Sequence, residues 1–353
     1  VADQRIVERL FEEHCAACLQ RVAVRHHQAD AVLPIGRRQH AGRRIRRMVD
    51  ADIGMAVMDH RRDVDAMAFG QFDRGVGAAG QEKLLVAKAV VIGCGALGSS
   101  IANLLARAGV GELVIIDRDF IELNNLQRQV LFDEDDIAQN VPKAVAAATK
   151  LRRANSQIRI ESVVADVSSE NIESLIQGAS IVLDGTDNFE TRYLINDACI
   201  KHGINWVYGG GIASTGMTLT IRPGVSACLR CLYRKPPRPG SLATCDTAGV
   251  VSPIIQVVSA WQVAEAMKLI TGQGTLNDGL MTFDVWENQF EQFKLSRLPD
   301  CPTCVQRNFE YLDATAGTVT TALCGRNAVQ VSVHGASKIS LAELGKKLAG
   351  SAA

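Results

Sequence analysis

The sequence predicts a Rossmann-like α/β fold: a mixed sheet with a parallel N-terminal half and an antiparallel C-terminal half, and helices on both faces. Three observations predict it. A glycine-rich turn, Gly93-Cys94-Gly95-Ala96-Leu97-Gly98, stands between a short apolar run and a helix-forming run. From Gly80 to Gly211, apolar runs alternate with helical stretches, the order expected of a parallel sheet wrapped on both faces. Beyond Thr215 that alternation stops, and a strand, a long helix and a hairpin follow.

Each element has its own reason. Lys88–Gly93 is an apolar strand entering the glycine turn, and Leu97–Ala108 is a helix of small and apolar residues closed by Gly109. Glu112–Asp117 is the next strand. Lys143–Ala154 reads as a helix with Pro142 at its start, where a fixed φ suits the first turn. Ile158–Val164 is a strand and Glu170–Gln177 a helix. Ser180–Leu183 is a buried strand leading into Asp184-Gly185-Thr186-Asp187-Asn188. A helix over 189–202 precedes strand Asn205–Tyr208 and the glycines Gly209, Gly210 and Gly211. Thr215–Ile221 is a strand outside the parallel repeat, and residues 233–245 form a Pro- and Gly-rich loop. Val250–Thr271 is a long helix that tolerates Pro253 in its first turn. Met281–Trp286 and Gln289–Leu295 pair as a hairpin around Glu287-Asn288. In the tail, Ala328–Val333 is a strand and Ser340–Leu348 a helix capped by Ser340.

Composition divides the chain into an atypical segment over 1–79, a main domain over 80–307 and a small tail over 308–353. The first segment holds 13 Arg and no Lys, a bias the remainder does not share. A disordered arm, an appended helical segment and translation from a wrong start or shifted frame all remain open for it; its composition favours the last. Cys15-Ala16-Ala17-Cys18 has zinc-ligand spacing but lies in this segment and is set aside. The net charge of zero gives no attraction to nucleic acid or anionic membrane. No apolar run is long enough to span a membrane, and charges such as Asp3, Arg5 and Glu8 near the start do not read as a signal peptide, so the expected location is cytoplasmic. Ten cysteines in a reducing compartment read as metal ligands or reactive thiols rather than disulfides.

The chemistry-bearing residues follow from these placements. Gly93, Gly95 and Gly98 let backbone approach a phosphate or ribose, and Asp117, 19 residues after Gly98, is placed to hold ribose hydroxyls. This pattern does not separate NAD from ATP. Asn125 and Arg128 follow at the carboxyl edge of the sheet, and Lys143 opens a helix 15 residues after Arg128. An Arg with a Lys there suits a polyphosphate, although both types are common on solvated surfaces. Asp187 at the next strand end is either a Mg²⁺ ligand shared with phosphate oxygens or the N-cap of helix 189–202.

Cys228-Leu229-Arg230-Cys231 and Cys301-Pro302-Thr303-Cys304 are two CxxC pairs with 69 residues between them. Together they suit a closed, tetrahedral, structural Cys₄ zinc site. Cys245 sits where the Pro-rich loop meets the long helix; it is a candidate nucleophile or sulfur acceptor, or else a packing residue. Cys94, Cys199 and Cys324 read as core. His202 and His334, the only histidines beyond residue 60, lie in no motif, so hydride-transfer acid/base chemistry has no evident candidate.

These residues together resemble the ThiF/MoeB/HesA group, the adenylyltransferases of small ubiquitin-like sulfur carriers within the ubiquitin-activating superfamily. The resemblance runs from about Gly80 to Cys304. It rests on Gly77 to Leu84, the glycine turn, Asp117-Arg118-Asp119, Asn124-Asn125-Leu126-Gln127-Arg128-Gln129, Pro142-Lys143, Thr186-Asp187-Asn188, both cysteine pairs, and Thr244-Cys245 with Ala248-Gly249-Val250. It implies a homodimer that binds ATP and Mg²⁺ and carries a structural Zn²⁺. Asp117 would then bind ribose; Asn125, Arg128 and Lys143 the phosphates; Asp187 Mg²⁺; and Cys228, Cys231, Cys301 and Cys304 zinc. Cys245 matches a cysteine whose role in the group ranges from thioester or acyl-persulfide chemistry to dispensable. The implied reaction adenylylates a carrier's C-terminal Gly-Gly carboxylate and releases pyrophosphate. The implied carrier is ThiS- or MoaD-like, serving thiamine or molybdenum-cofactor biosynthesis, with a sulfurtransferase or cysteine desulfurase as a further partner.

The sequence departs from the group at one place. Members carry Arg-Tyr-x-Arg-Gln upstream of the Gly at position 80, whose second Arg reaches the partner subunit's ATP site; here the stretch reads Met67-Ala68-Phe69-Gly70-Gln71. Two alternatives therefore stand beside the enzyme: a carrier-binding member that is catalytically weak or silent, and an NAD-dependent oxidoreductase. The tail lacks the cysteine-centred anion loop of a rhodanese domain and resembles the short tail of some bacterial members, including Leu323 to Gln330.

Overall fold

The computed structural model describes residues 76–236 and 248–313, together with the backbone of residues 319–323 and 328–332. Eight strands form one sheet in the order β3-β2-β1-β4-β5-β6-β7-β8. β1 (Lys88–Ile92), β2 (Glu112–Ile116), β3 (Arg159–Val163), β4 (Ile181–Asp184) and β5 (Asn205–Ile212) run parallel. β6 (Thr215–Ile221), β7 (Gly279–Asp284) and β8 (Gln289–Lys294) continue the sheet antiparallel. The expected mixed sheet is therefore present.

Strand side chains alternate between two cores. Ala89, Val91, Leu113, Ile115 and Leu183 face one, under α2 (Ala96–Ala108), α4 (Lys143–Ala154) and α8 (Ser252–Thr271). Val90, Ile92, Val114, Ile116 and Val182 face the other, under α6 (Phe189–His202). Burial on both faces is why these strands are apolar throughout rather than alternating. Each such side chain contributes about 1.5–3 kcal/mol by leaving water. Among the described residues, no helix is long and apolar enough to cross a membrane.

α1 (Gly77–Val86) precedes the sheet and packs against the end of α8, with Lys83 Nζ donating to the Thr271 carbonyl. α3 (Glu134–Ala138), capped by Asp133, lies between β2 and α4. α5 (Ile172–Leu175) is a single turn, shorter than the helix expected over Glu170–Gln177. α7 (Leu229–Leu232) holds the first cysteine pair. Packing continues beyond residue 307: Phe309 and Leu312 are buried in the second core.

Two further differences from the sequence expectation have physical causes. β5 does not stop at Tyr208 but runs through all three glycines, because α8 lies against it: a Cβ at Gly209 would meet the Gln262 side-chain carbon at 2.5 Å. α8 begins at Ser252, since Val250 is held in a bridge to Ala213. In the tail, β10 (Ala328–Ser332) pairs antiparallel with β9 (Val319–Leu323), a partner the sequence reading did not assign. The segment 1–75, the central part of the Pro-rich loop with Cys245, and the helix expected over Ser340–Leu348 lie outside the described residues.

Candidate nucleotide and metal sites

The chain leaves β1 toward β2 and β3 on one side, then returns to β4 on the other. That reversal opens a crevice at the carboxyl ends of β1 and β4, the place where open α/β sheets bind ligands. The glycine turn lines it. Gly93 has φ +87°, and its N–H donates to the Ile116 carbonyl at 2.8 Å. Gly185, just after β4, lies so close that a Cβ there would sit 2.4 Å from the Gly93 oxygen. A Cβ at Gly95, in contrast, would meet nothing nearer than Gln129 Nε2 at 3.8 Å. Space therefore opens over Gly95, at the N-terminus of α2, where backbone N–H groups and the helix dipole favour an anion.

Asp117 ends this turn's neighbouring strand and clamps the turn itself. Its Oδ2 accepts from Cys94 N–H at 2.6 Å and its Oδ1 from Asp119 N–H at 2.7 Å. Burial pushes its carboxyl above the ordinary range, opposed by the charge of Lys143. Lys143 opens α4; its side chain is only 10% exposed, and Nζ lies 3.7 Å from Asp119 Oδ2. Its own N–H donates to the Asp119 carbonyl at 2.9 Å, and a bridge between Phe120 and Pro142 fixes the two segments together.

Asn125 closes a 3₁₀ turn over Leu123–Asn125, its Oδ1 accepting from Glu122 N–H at 3.2 Å. Its side chain thus shapes the turn that leads to Arg128, whose NH1 donates to the Asn124 carbonyl at 2.7 Å. Gln129 is a residue that sequence reasoning passed over. It is buried, its Nε2 is the atom nearest the space over Gly95, and its Oε1 has no hydrogen-bond partner. The signal was its place at the end of the Asn124–Gln129 stretch.

Asp187 is exposed two residues beyond Gly185, and helix α6 is capped by Asn188, whose side chain accepts from Thr191 N–H at 2.8 Å. The N-cap alternative for Asp187 therefore passes to its neighbour. Beneath it lies an ion pair that the sequence did not announce. Arg192 Nε donates to Asp184 Oδ2 at 3.0 Å, and Arg192 NH2 donates to the carbonyls of Thr186 at 2.6 Å and Gly209 at 3.0 Å. Thr186 donates to Asp184 Oδ1 from N–H at 2.9 Å and from its hydroxyl at 2.7 Å. Burial pushes the Asp184 carboxyl up, while the Arg192 guanidinium opposes it. Cys94 and Cys199 are buried, and burial raises both thiols, as expected of core residues.

The two cysteine pairs meet in the second core. The Cys228 and Cys231 sulfurs are 3.9 Å apart, Cys228 and Cys301 3.6 Å, and Cys231 and Cys304 3.5 Å. All four lie within 4.8 Å of one another and are buried. A tetrahedron with metal–sulfur bonds of about 2.3 Å has edges of about 3.8 Å, so the set fits zinc. Leu298 N–H also points at Cys231 Sγ at 3.5 Å, support of the kind a thiolate ligand receives.

The ThiF family profile matches residues 71–303. The sulfur carrier protein ThiS adenylyltransferase of Bacillus subtilis is 46% identical over 258 residues, covering 72% of this chain and 76% of that protein. The SAMP-activating enzyme E1 of Haloferax volcanii is 40% identical over 230 residues, covering 65% of this chain and 84% of its own length. The adenylyltransferase and sulfurtransferase MOCS3 of Anopheles gambiae is 37% identical, but the match covers only 51% of it. Among solved structures, E. coli MccB with ATP superposes with a TM-score of 0.58 at 24% identity, over 65% of this chain and 70% of that one. That likeness is one of fold.

Proposed function

The chain belongs to the ThiF family, and on that premise we propose that it uses ATP to adenylylate the C-terminal glycine carboxylate of a small ubiquitin-like sulfur-carrier protein, releasing pyrophosphate. It is a nucleotidyltransferase of the sulfur-carrier type. The observation that carries the reading is the pairing of open space over Gly95 with a nearly buried cation, Lys143, beside the Asp117–Asp119 segment. A redox dinucleotide gives no reason for that cation; a triphosphate does.

The chemistry asks little of the protein beyond position and charge. A C-terminal carboxylate is already ionised, so it attacks the α-phosphorus without a base. The new bond joins carboxylate oxygen to phosphorus; the bond to the bridging oxygen breaks, and pyrophosphate leaves. Arg128 and Lys143 neutralise charge as it shifts to the leaving group. Asp117 would hold the ribose and Asn125 the turn that presents Arg128 to the phosphates. Asp187, exposed at the sheet edge, would hold Mg²⁺ together with phosphate oxygens, and the ion there offsets phosphate charge. Cys228, Cys231, Cys301 and Cys304 would hold a structural Zn²⁺ with no ligand position left open. Cys245 is the thiol for any later acyl or sulfur transfer.

The catalytic unit spans 80–307 and works as a cytoplasmic homodimer, with a sulfurtransferase or cysteine desulfurase supplying sulfur afterwards. The first carrier to test is ThiS-like, because the Bacillus relative acts on ThiS; a MoaD-like carrier comes second. The test is carrier-dependent exchange of labelled pyrophosphate into ATP. Exchange with a carrier ending in Gly-Gly, and none when that end is removed, is the expected result. ATP binding without exchange on any such carrier would favour the silent alternative, and tight NADH binding the oxidoreductase.

A further inference from the structure

Helix α6 carries the nucleotide edge at one end and both halves of the Cys₄ centre along its middle. In its first turn, Arg192 holds the Thr186 and Gly209 carbonyls and so fixes the backbone from which Asp187 projects. Four residues on, a rise of about 6 Å, comes Asn196. Its Oδ1 accepts from Leu229 N–H at 3.0 Å, inside the Cys228–Cys231 turn. The next residue, Asp197, accepts at Oδ1 from the Thr303 hydroxyl at 2.9 Å, inside the Cys301–Cys304 turn, and at Oδ2 from Tyr311 N–H at 2.9 Å. Tyr193 adds a bond from its hydroxyl to the Tyr233 carbonyl at 2.8 Å, just past the first pair.

Asn196 and Asp197 are fully buried. An amide and a carboxylate side by side in a core are destabilising unless bonded, and here the bonds they make go to the two cysteine turns. Those turns are far apart in sequence, yet consecutive residues of one helix grip them. A helix is stiff along its axis, and a packed core shifts between discrete arrangements rather than deforming smoothly. Opening of the cysteine turns therefore acts on α6, and α6 acts on the Asp184–Asp187 segment through Arg192.

We infer that metal occupancy of the Cys₄ centre is coupled to nucleotide binding through α6, with Asn196 and Asp197 as the positioning residues that join the two. The inference rests on the reading of the crevice as the ATP site and of the cysteines as the zinc site.

The test uses the full chain loaded with zinc, a chromogenic chelator to follow zinc release, and calorimetry with Mg²⁺ and a non-hydrolysable ATP analogue. Asn196→Ala releases zinc at least about tenfold faster than wild type, in line with losses of outer-shell partners. With zinc held at full occupancy, the same variant binds the analogue about fivefold more weakly, the low end of ordinary coupling between sites. Thr303→Val, nearly isosteric and removing only the hydroxyl that reaches Asp197, shows both effects in smaller measure and serves if Asn196→Ala does not fold. Variants that fold, release zinc at the wild-type rate or bind the analogue with the wild-type Kd overturn the coupling. Wild-type protein that holds zinc but does not bind the analogue overturns the nucleotide reading itself, and the coupling with it.

Discussion

Gly93 and Gly98 close the nucleotide turn by direct backbone contact: a Cβ at position 98 would stand 1.8 Å from the Gly93 carbonyl oxygen. Neither residue of the pair can give way, because Gly93 is itself pressed against Gly185. Gly98→Ala is expected to destabilise the fold by about 3 kcal/mol, an overpacking effect against backbone. Gly95→Ala has room for its methyl and loses less stability, but its methyl occupies ligand space. Thermal melts beside nucleotide titrations separate the two; equal stability losses would refute the distinction.

Lys143→Met should lower the pyrophosphate-exchange rate about 100-fold or more, the scale seen when one preorganised donor to a developing charge is removed. Its ion-pair partner, Asp119, is half exposed and remains solvated, so the melting temperature should change little. A rate within a few-fold of wild type would remove Lys143 from the site.

Arg192→Met leaves the Asp184 carboxylate buried without its cation. Breaking one side of such a pair is expected to lower stability by about 3–5 kcal/mol. The double change Arg192→Met with Asp184→Asn should recover part of that loss. Chemical denaturation of the three variants measures it, and additive losses would show that the two residues do not interact.

Acid stability should carry the mark of Asp197. Burial pushes its carboxyl up to about 6, against an unfolded value of about 3.9. The folded state thus binds the proton more tightly, so this group's contribution is fully present below pH about 4 and is lost as pH rises to about 6. The change amounts to about 3 kcal/mol. Asp184 and Asp117 are shifted by burial in the same direction. Asp197→Asn, followed by urea denaturation at several pH values, should flatten the slope across that window.

Purified protein should contain about one zinc per chain, lost in Cys301→Ser, by elemental analysis. A folded protein with four titratable thiols and no metal would reject the Cys₄ assignment.

What could be read from the sequence was whatever backbone or ligand geometry forces on residue type. Gly93 and Gly98 must be glycine because their neighbours are backbone atoms, and two CxxC pairs have few uses other than a metal. Arg192 escaped notice because an Arg eight residues after an Asp looks like helix surface; only the fold buries both. Asn188 and Asp187 are equally good caps on paper, and the structure chooses Asn188. The three glycines after Tyr208 suggested a break, whereas the Gln262 side chain presses against a continuous strand. Tertiary approach, invisible in any local window, decided each of these.

The close approach of α8 to β5 also bears on when the protein becomes functional during synthesis. Gln262 donates to the Asp184 and Val207 carbonyls, and Ser259 to the Leu97 carbonyl behind the glycine turn. A nascent chain emerging from the ribosome makes the glycine turn early and its rear support more than a hundred residues later. The last two cysteines emerge later still. Until then the parallel strands present bare apolar backbone at Gly209, a surface suited to chaperones, and the crevice has no wall to hold a nucleotide.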